Sequence, residues 1–277
     1  LECWLSGQAA GSAAAKLVLG LANPSGKLAE TIPVRLEDSS SFLNFPGDSG
    51  VVRYGEGIFI GYRGYDRARQ EVSYPFGFGL SYTSFTIGDL ALRTSGSVAD
   101  DDLEVQATVT VVNIGAVAGA EVVQVYVCDV ESTVARPVRE LKAFAKVFLE
   151  PGESKQVSLV LDTRAFAYWS TRHHDWVVEA GEFEVALGSS SWHLAARDRV
   201  HLEASSVAPP LTGDSTLQEW VADDRGRELL STLDVPILGD PELVRVIGTM
   251  PMRTLASFSG LLFDHGTLDR LEGQLEG

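Results

Sequence analysis

Between Leu103 and Val111 every second residue is apolar (Leu103, Val105, Ala107, Val109, Val111), and the alternation returns at Val123, Val125 and Val127 after the loop NIGAVAG. A period of two puts such side chains on one face of an extended strand. KVFL and VSLVL flank EPGES, residues 150–154, whose Pro-Gly pair predicts a tight turn and therefore a hairpin. WVVEAGEFEVALG, residues 176–188, repeats the device, with Glu179 to Glu182 as its turn and Phe183, Val185 and Leu187 facing inward.

The stretch from Phe85 to about residue 205 thus reads as roughly seven strands in about 120 residues, the pattern of an immunoglobulin-like or fibronectin type III-like β-sandwich. Upstream the signal changes. Gln8 to Leu19 is built of Ala, Ser and Leu and reads as a helix stopped by Gly20. NPSG, residues 23–26, predicts a type I turn leading into an extended KLAETIP, and VVRY and IFIGYR read as two short strands. Helix, turn and strand in that order suggest one unit of an α/β layer. Ala208-Pro209-Pro210 predicts an extended linker, and the tail beyond it is helical in pattern. There Ser215 and Gln218 are spaced for a capping box ahead of Leu217, Trp220, Val221, Leu229 and Leu230, and Asp240-Pro241 offers a second helix start. Met250, Met252, Leu255, Phe258, Leu261 and Leu262 give the tail more apolar surface than water tolerates, so docking is expected, on the chain itself in preference to a further domain upstream of residue 1 or a second copy forming a homodimer.

The architecture expected is multidomain, α/β plus all-β. Residues 1–84 form the C-terminal part of an α/β sandwich domain and a joint, 85–205 a fibronectin type III-like β-sandwich, and 206–277 a linker and helical C-terminal extension. Composition narrows the partners. With 38 acidic and 22 basic residues in 277, the net charge of -16 disfavours nucleic acid and anionic membrane surfaces. Cys3 and Cys128 are too few and too far apart to signal a disulfide framework or a thiolate metal site. The chain starts without Met, at LECWLSGQAAG, and reads as beginning in mid-domain.

Three stretches together resemble the C-terminal part of glycoside hydrolase family 3 enzymes, the β-glucosidase-like proteins. WLSGQ followed by the helix and NPSGKL resembles the W-x-P-G-Q segment and the turn of the family's α/β sandwich domain. YGEGIFIGYRGYD and YPFGFGLSYTSF resemble the signature leading into its fibronectin type III-like domain, and ARPVRELKAF, EPGES and WVVEAGEFEVALGSSS resemble landmarks of that domain. The resemblance runs from residue 1 to about 205. Ser6, Ala9, Ala10 and Ala29-Glu30 depart from the family pattern. The resemblance implies retaining hydrolysis of terminal β-D-glucosyl or related residues, with an upstream barrel domain and a glycoside or oligosaccharide substrate as partners and no cofactor. It also implies that the nucleophilic Asp and the acid/base Glu precede residue 1, so no residue of this chain is assigned a catalytic, cofactor-binding or metal-binding role. The alternative is a non-catalytic β-sandwich module that binds carbohydrate or protein, against which the partial α/β domain in residues 1–84 speaks. YPFGFGLSYTSF is then read as a plate between two domains, with Phe76 enclosed.

GDSG, residues 47–50, imitates a serine-protease nucleophile, but that chemistry needs a general-base His, and the first is His173. His173-His174-Asp175 reads as a solvated hairpin loop in preference to a metal site, because adjacent strand residues face opposite ways. Asp264-His265 reads as a helix start. Glu56, near Tyr54, Tyr62 and Arg63, reads as half of a structural Glu-Arg pair, because an adjacent guanidinium lowers a carboxyl pKa where an acid/base role needs it raised. Trp169 and Trp176 are expected to be core residues in preference to a sugar platform.

Overall fold

The computed structural model describes residues 1–204, 210–233, 241–258 and 263–275. They form two compact units, one comprising residues 1–170 and 176–206 and the other residues 171–175 and 207–277. The first is rich in sheet, the second helical.

The first unit begins with helix α1 (Ala10–Val18), stopped as expected before Gly20 at φ +70°. NPSG, however, forms no turn, because its Asn23 is used elsewhere: the carboxamide donates to the Ala118 carbonyl (3.0 Å) and accepts from Ser81 Oγ and Tyr82 N–H. Strand β1 (Ile32–Pro33) is only two residues long and pairs with β2 (Val72–Tyr74). IFIGYR is not a strand. Its end enters helix α2 (Tyr62–Ala68), where a three-residue spacing turns Tyr62 and Tyr65 toward one side and buries Tyr65.

From Phe85 the alternation gives what it predicts. Strands β3 (Phe85–Ser95), β4 (Glu104–Asn113), β5 (Gly119–Asp129), β6 (Glu140–Leu149) and β7 (Ser154–Asp162) lead to a short helix α3 (Thr163–Phe166) capped by Asp162. The small hairpin β8 (Tyr168–Ser170) and β9 (Asp175–Val177) follows, then β10 (Gly181–Gly188) and β11 (Leu194–Leu202). One sheet runs β11-β10-β5-β6 and the other β3-β4-β7, and all pairs are antiparallel. Val105, Val109 and Val111 of one sheet, with Leu103 just before it, and Val123, Val125, Phe183, Val185 and Leu187 of the other lie in a single core.

Two expected hairpins are not pairs. EPGES does turn the chain, with Gly152 at φ +75° donating to the Asn113 carbonyl, but β6 and β7 belong to different sheets. The turn changes layers so that Val157, Leu159 and Leu161 meet the core from β7. Likewise β9 pairs with β8, and β10 pairs with β5 and β11. A Pro-Gly turn fixes a change of direction. Which ladder a strand joins is decided by what its inward face can bury.

The second unit carries α4 (Leu217–Ala222), α5 (Asp224–Ser231), α6 (Pro241–Ile247), α7 (Met252–Ala256) and α8 (His265–Leu275). Its capping box is Thr216 with Glu219, one residue beyond the expected Ser215 with Gln218. Ser215 Oγ accepts instead from Thr212 N–H (3.0 Å) and from Arg172 (2.7 Å). Leu217, Trp220, Leu230, Met252, Leu255, Leu268 and Leu271 are buried together, so the short helices shield one another's apolar faces. Phe258 stays half exposed. Ala208, Pro209, Asp240, Leu261 and Leu262 lie outside the described residues.

Candidate functional site

The densest polar constellation sits where α2 and the 74–85 segment meet β5, β6 and the loop after β10. Gly77, at φ +80°, lies against the Gln124 side chain, and any Cβ there would strike the Gln124 amide. Gln124 is buried, donates to the carbonyls of Gly77 (3.1 Å) and Ser189 (2.6 Å), and accepts from Tyr126 Oη (2.6 Å). Phe76 stacks on Tyr62 with centroids 4.6 Å apart, and Tyr62 meets Tyr126 edge-on at 6.2 Å. Burial raises the pKa of both phenols, so both stay neutral, and Tyr62 Oη accepts from Leu141 N–H (2.8 Å).

Around this aromatic stack lie ion pairs. Arg136 reaches Asp129 (3.1 Å), Glu140 (3.4 Å) and the Phe166 carbonyl (3.0 Å), with both charged ends of the Asp129 pair nearly inaccessible. Glu140 is shared further with Arg63 and Lys142, each at 3.4 Å. Asp66 faces Arg139 (3.4 Å) and accepts from Trp192 Nε1 (2.9 Å). Burial lifts the Asp66 carboxyl above the ordinary range, opposed by the indole N–H and the guanidinium. Burial also lowers the Lys142 ammonium, opposed by Glu140. The carboxylates of this cluster are thus engaged by cations or fixed donors, an arrangement that holds segments together.

The residues singled out in the sequence separate. Glu56 does not pair with Arg63, which is drawn to Glu140; its carboxylate accepts from Asn44 Nδ2 (3.2 Å), and Tyr54 is exposed. In GDSG, Asp48 and Val51 close a tight bridge and Ser49 bonds Asp48 (3.2 Å). His173, His174 and Asp175 form the link from β8 into β9, with His174 at φ +52°. Among the described residues no three His, Cys, Asp or Glu side chains gather as metal ligands. Asp264 accepts from Thr267 N–H (2.8 Å) at the start of α8, a helix-start role. Trp169 and Trp176 are not core residues: both stand about half exposed, edge to face at 5.4 Å, with the Arg164 guanidinium over Trp176. Asp66, Gln124, Arg139 and Trp192 carry no periodic mark in the sequence. The only signal was the run of charges in ARPVRELKAF on a stretch that otherwise reads as buried strand.

Residues 1–82 match the glycosyl hydrolase family 3 C-terminal domain, and residues 121–191 match the fibronectin type III-like domain. An exo-alpha-(1->6)-L-arabinopyranosidase of Bifidobacterium breve is 44% identical over 268 residues, and thermostable beta-glucosidase B of Acetivibrio thermocellus is 41% identical over 269. Each match takes in 94% of this chain and 35% of the relative, so the chain spans about a third of the curated proteins it matches. The crystal structure of a Bifidobacterium adolescentis GH3 beta-glucosidase superposes with a TM-score of 0.73 at 48% identity, over 83% of this chain and 33% of that one. The chain belongs to glycoside hydrolase family 3, and it corresponds to the C-terminal part of the longer enzymes. A match over 94% necessarily takes in most residues beyond 205, farther than the motifs alone reach. The probable beta-glucosidase I of Aspergillus niger matches only 68% of the chain, a share that residues before the helical unit suffice to supply.

Proposed function

We propose that the chain is the C-terminal portion of a retaining glycosidase acting on terminal β-D-glucosyl or related residues, with both catalytic carboxylates outside it. The observation that carries this reading is the 41–44% identity over 94% of the chain to glycosidases of which it forms 35%. In this reading residues 1–84 complete an α/β sandwich domain begun upstream, 85–205 form an immunoglobulin-like β-sandwich, and 206–277 form a helical extension. Among residues 1–84 Tyr65 is the only hydrophobic residue that is buried, while Leu36, Leu43, Phe45 and Tyr54 are exposed, which fits a domain whose remaining layers come from elsewhere. The upstream partner is a barrel domain carrying the nucleophile. Retention requires two carboxyl groups about 5 Å apart across the glycosidic bond, and the Asn44-bound Glu56 offers no such pair.

The test is to assay the 277-residue chain and a protein extended upstream to the relatives' full length on aryl β-D-glucoside and aryl α-L-arabinopyranoside. The extended protein is expected to turn over at least one, and the 277-residue chain neither. The second substrate is included because the relatives named for it match as well as those named for glucose. Turnover by the short chain that Glu56→Gln abolishes would overturn the reading.

A further inference from the structure

We propose that the groove beside Trp192 binds a neutral pyranose, stacked on the indole and hydrogen-bonded by the Ser189–His193 loop; the choice of a sugar rests on the glycosidase reading above. The groove measures about 460 Å³ and is lined by Pro75, Phe78, Ser189, Ser190, Trp192 and His193. That lies within the ~300–1,000 Å³ usual for small-molecule sites.

Trp192 leaves 47% of its surface open, an expensive place for an indole unless something covers it. Nor is the ring free to turn. Its N–H is spent on Asp66 Oδ1 at 2.9 Å, and the Asp66 side chain is only 4% exposed and faces Arg139. A buried carboxylate thus fixes the ring plane before any ligand arrives, which removes an ordering cost from binding. The loop is equally set. Ser189 N–H donates to the His193 carbonyl (3.0 Å), and His193 N–H donates to Ser190, to its carbonyl at 3.2 Å and to its Oγ at 3.0 Å. Phe78, in ring contact with Tyr74 at 5.0 Å, supplies a second aromatic wall.

The lining decides the ligand class. A pyranose offers an apolar C–H face to an indole and hydroxyls at its edge to serine, imidazole and backbone groups. A wholly apolar ligand would cover the Ser189 hydroxyl and the His193 imidazole without offering either a partner, while the Ser190 hydroxyl already accepts from His193 N–H. An anion would find no Lys or Arg in the lining, and a chain of net charge -16 repels it.

The test titrates cellobiose and D-glucose into the 277-residue chain, by calorimetry and saturation-transfer NMR. Saturable binding of at least one sugar is expected, about tenfold weaker in Trp192→Ala. Trp192→Phe, which keeps a ring but loses the bond to Asp66, should fall between, and Trp169→Ala should match the parent. Thermal melting checks that each variant is folded. Absence of saturable binding, or unchanged affinity in Trp192→Ala, overturns the proposal. So does binding that vanishes in the upstream-extended protein, which would assign the groove to the preceding segment. Hydrolysis is a separate readout: an inactive extended protein strikes the glycosidase reading, whereas an active one without binding here strikes only this groove.

Discussion

In residues 85–204 the alternating valines and leucines of two sheets converge on one core with exposures at or near zero. In residues 1–84, at a comparable content of apolar side chains, Tyr65 is the only one of these that is buried, and Leu43 and Phe45 stand largely open. Apolar content therefore does not decide by itself whether a core closes. What distinguishes the two regions is whether the strands bearing the apolar residues have neighbours. The sheets of the first region hold four and three strands, whereas β1 and β2 form a two-stranded ribbon with no further strand among the described residues. Such a ribbon is marginal by itself in water.

The contrast has a measurable scale. The largest effect belongs to Phe183→Ala, which removes a ring 1% exposed and set edge-on to Phe166 at 5.3 Å; a loss of about 3–5 kcal/mol is expected in urea unfolding. A loss below ~1 kcal/mol would mean that the core is not closed. Phe76→Ala comes next. Its ring is half-buried and stacked on Tyr62, not enclosed as the sequence suggests, so about 1–2 kcal/mol is expected. A cost reaching that of Phe183 would show the Phe76–Tyr62 stack to be as tightly packed as the core. The smallest belongs to Leu43→Ser, at 92% exposure, with a change within ~0.5 kcal/mol in this chain. A larger loss that grows with protein concentration would reveal a second copy covering the face.

Much of this was legible in the sequence, for unequal reasons. The inward residues of β4, β5 and β10 follow from a period of two, because burial on one face enforces it. The β6–β7 and β9–β10 pairings were misread because turn chemistry reports direction without naming a strand's neighbour. IFIGYR was misread because Ile58, Phe59 and Ile60 carry strand composition, whereas the chain needs α2 there to bring Tyr62 to Phe76 and Asp66 to Arg139. The contacts of the 74–85 segment were legible in part. Gly77 and the aromatics of YPFGFGLSYTSF announce a tight path and a large contact, but the partners that make it specific, Gln124, Arg139 and Trp192, lie tens of residues away and bear no local mark. Glu56 shows the converse: proximity in sequence placed it with Arg63, and a third residue, Glu140, won the cation.

The layer change at EPGES also bears on how the chain reaches its fold. Three ladders, β3 with β4, β5 with β6 and β10 with β11, join strands that follow one another and can close early. The other two cannot. Glu104 pairs with Asp162, and Cys128 with Glu184, so each sheet is completed only when distant stretches meet. Such closures spend chain entropy before any ladder bond repays it. Because Gly152 sends β7 away from β6, the strand that seals one sheet is delivered by the turn that ends the edge strand of the other, and the two sheets are tied to mature together.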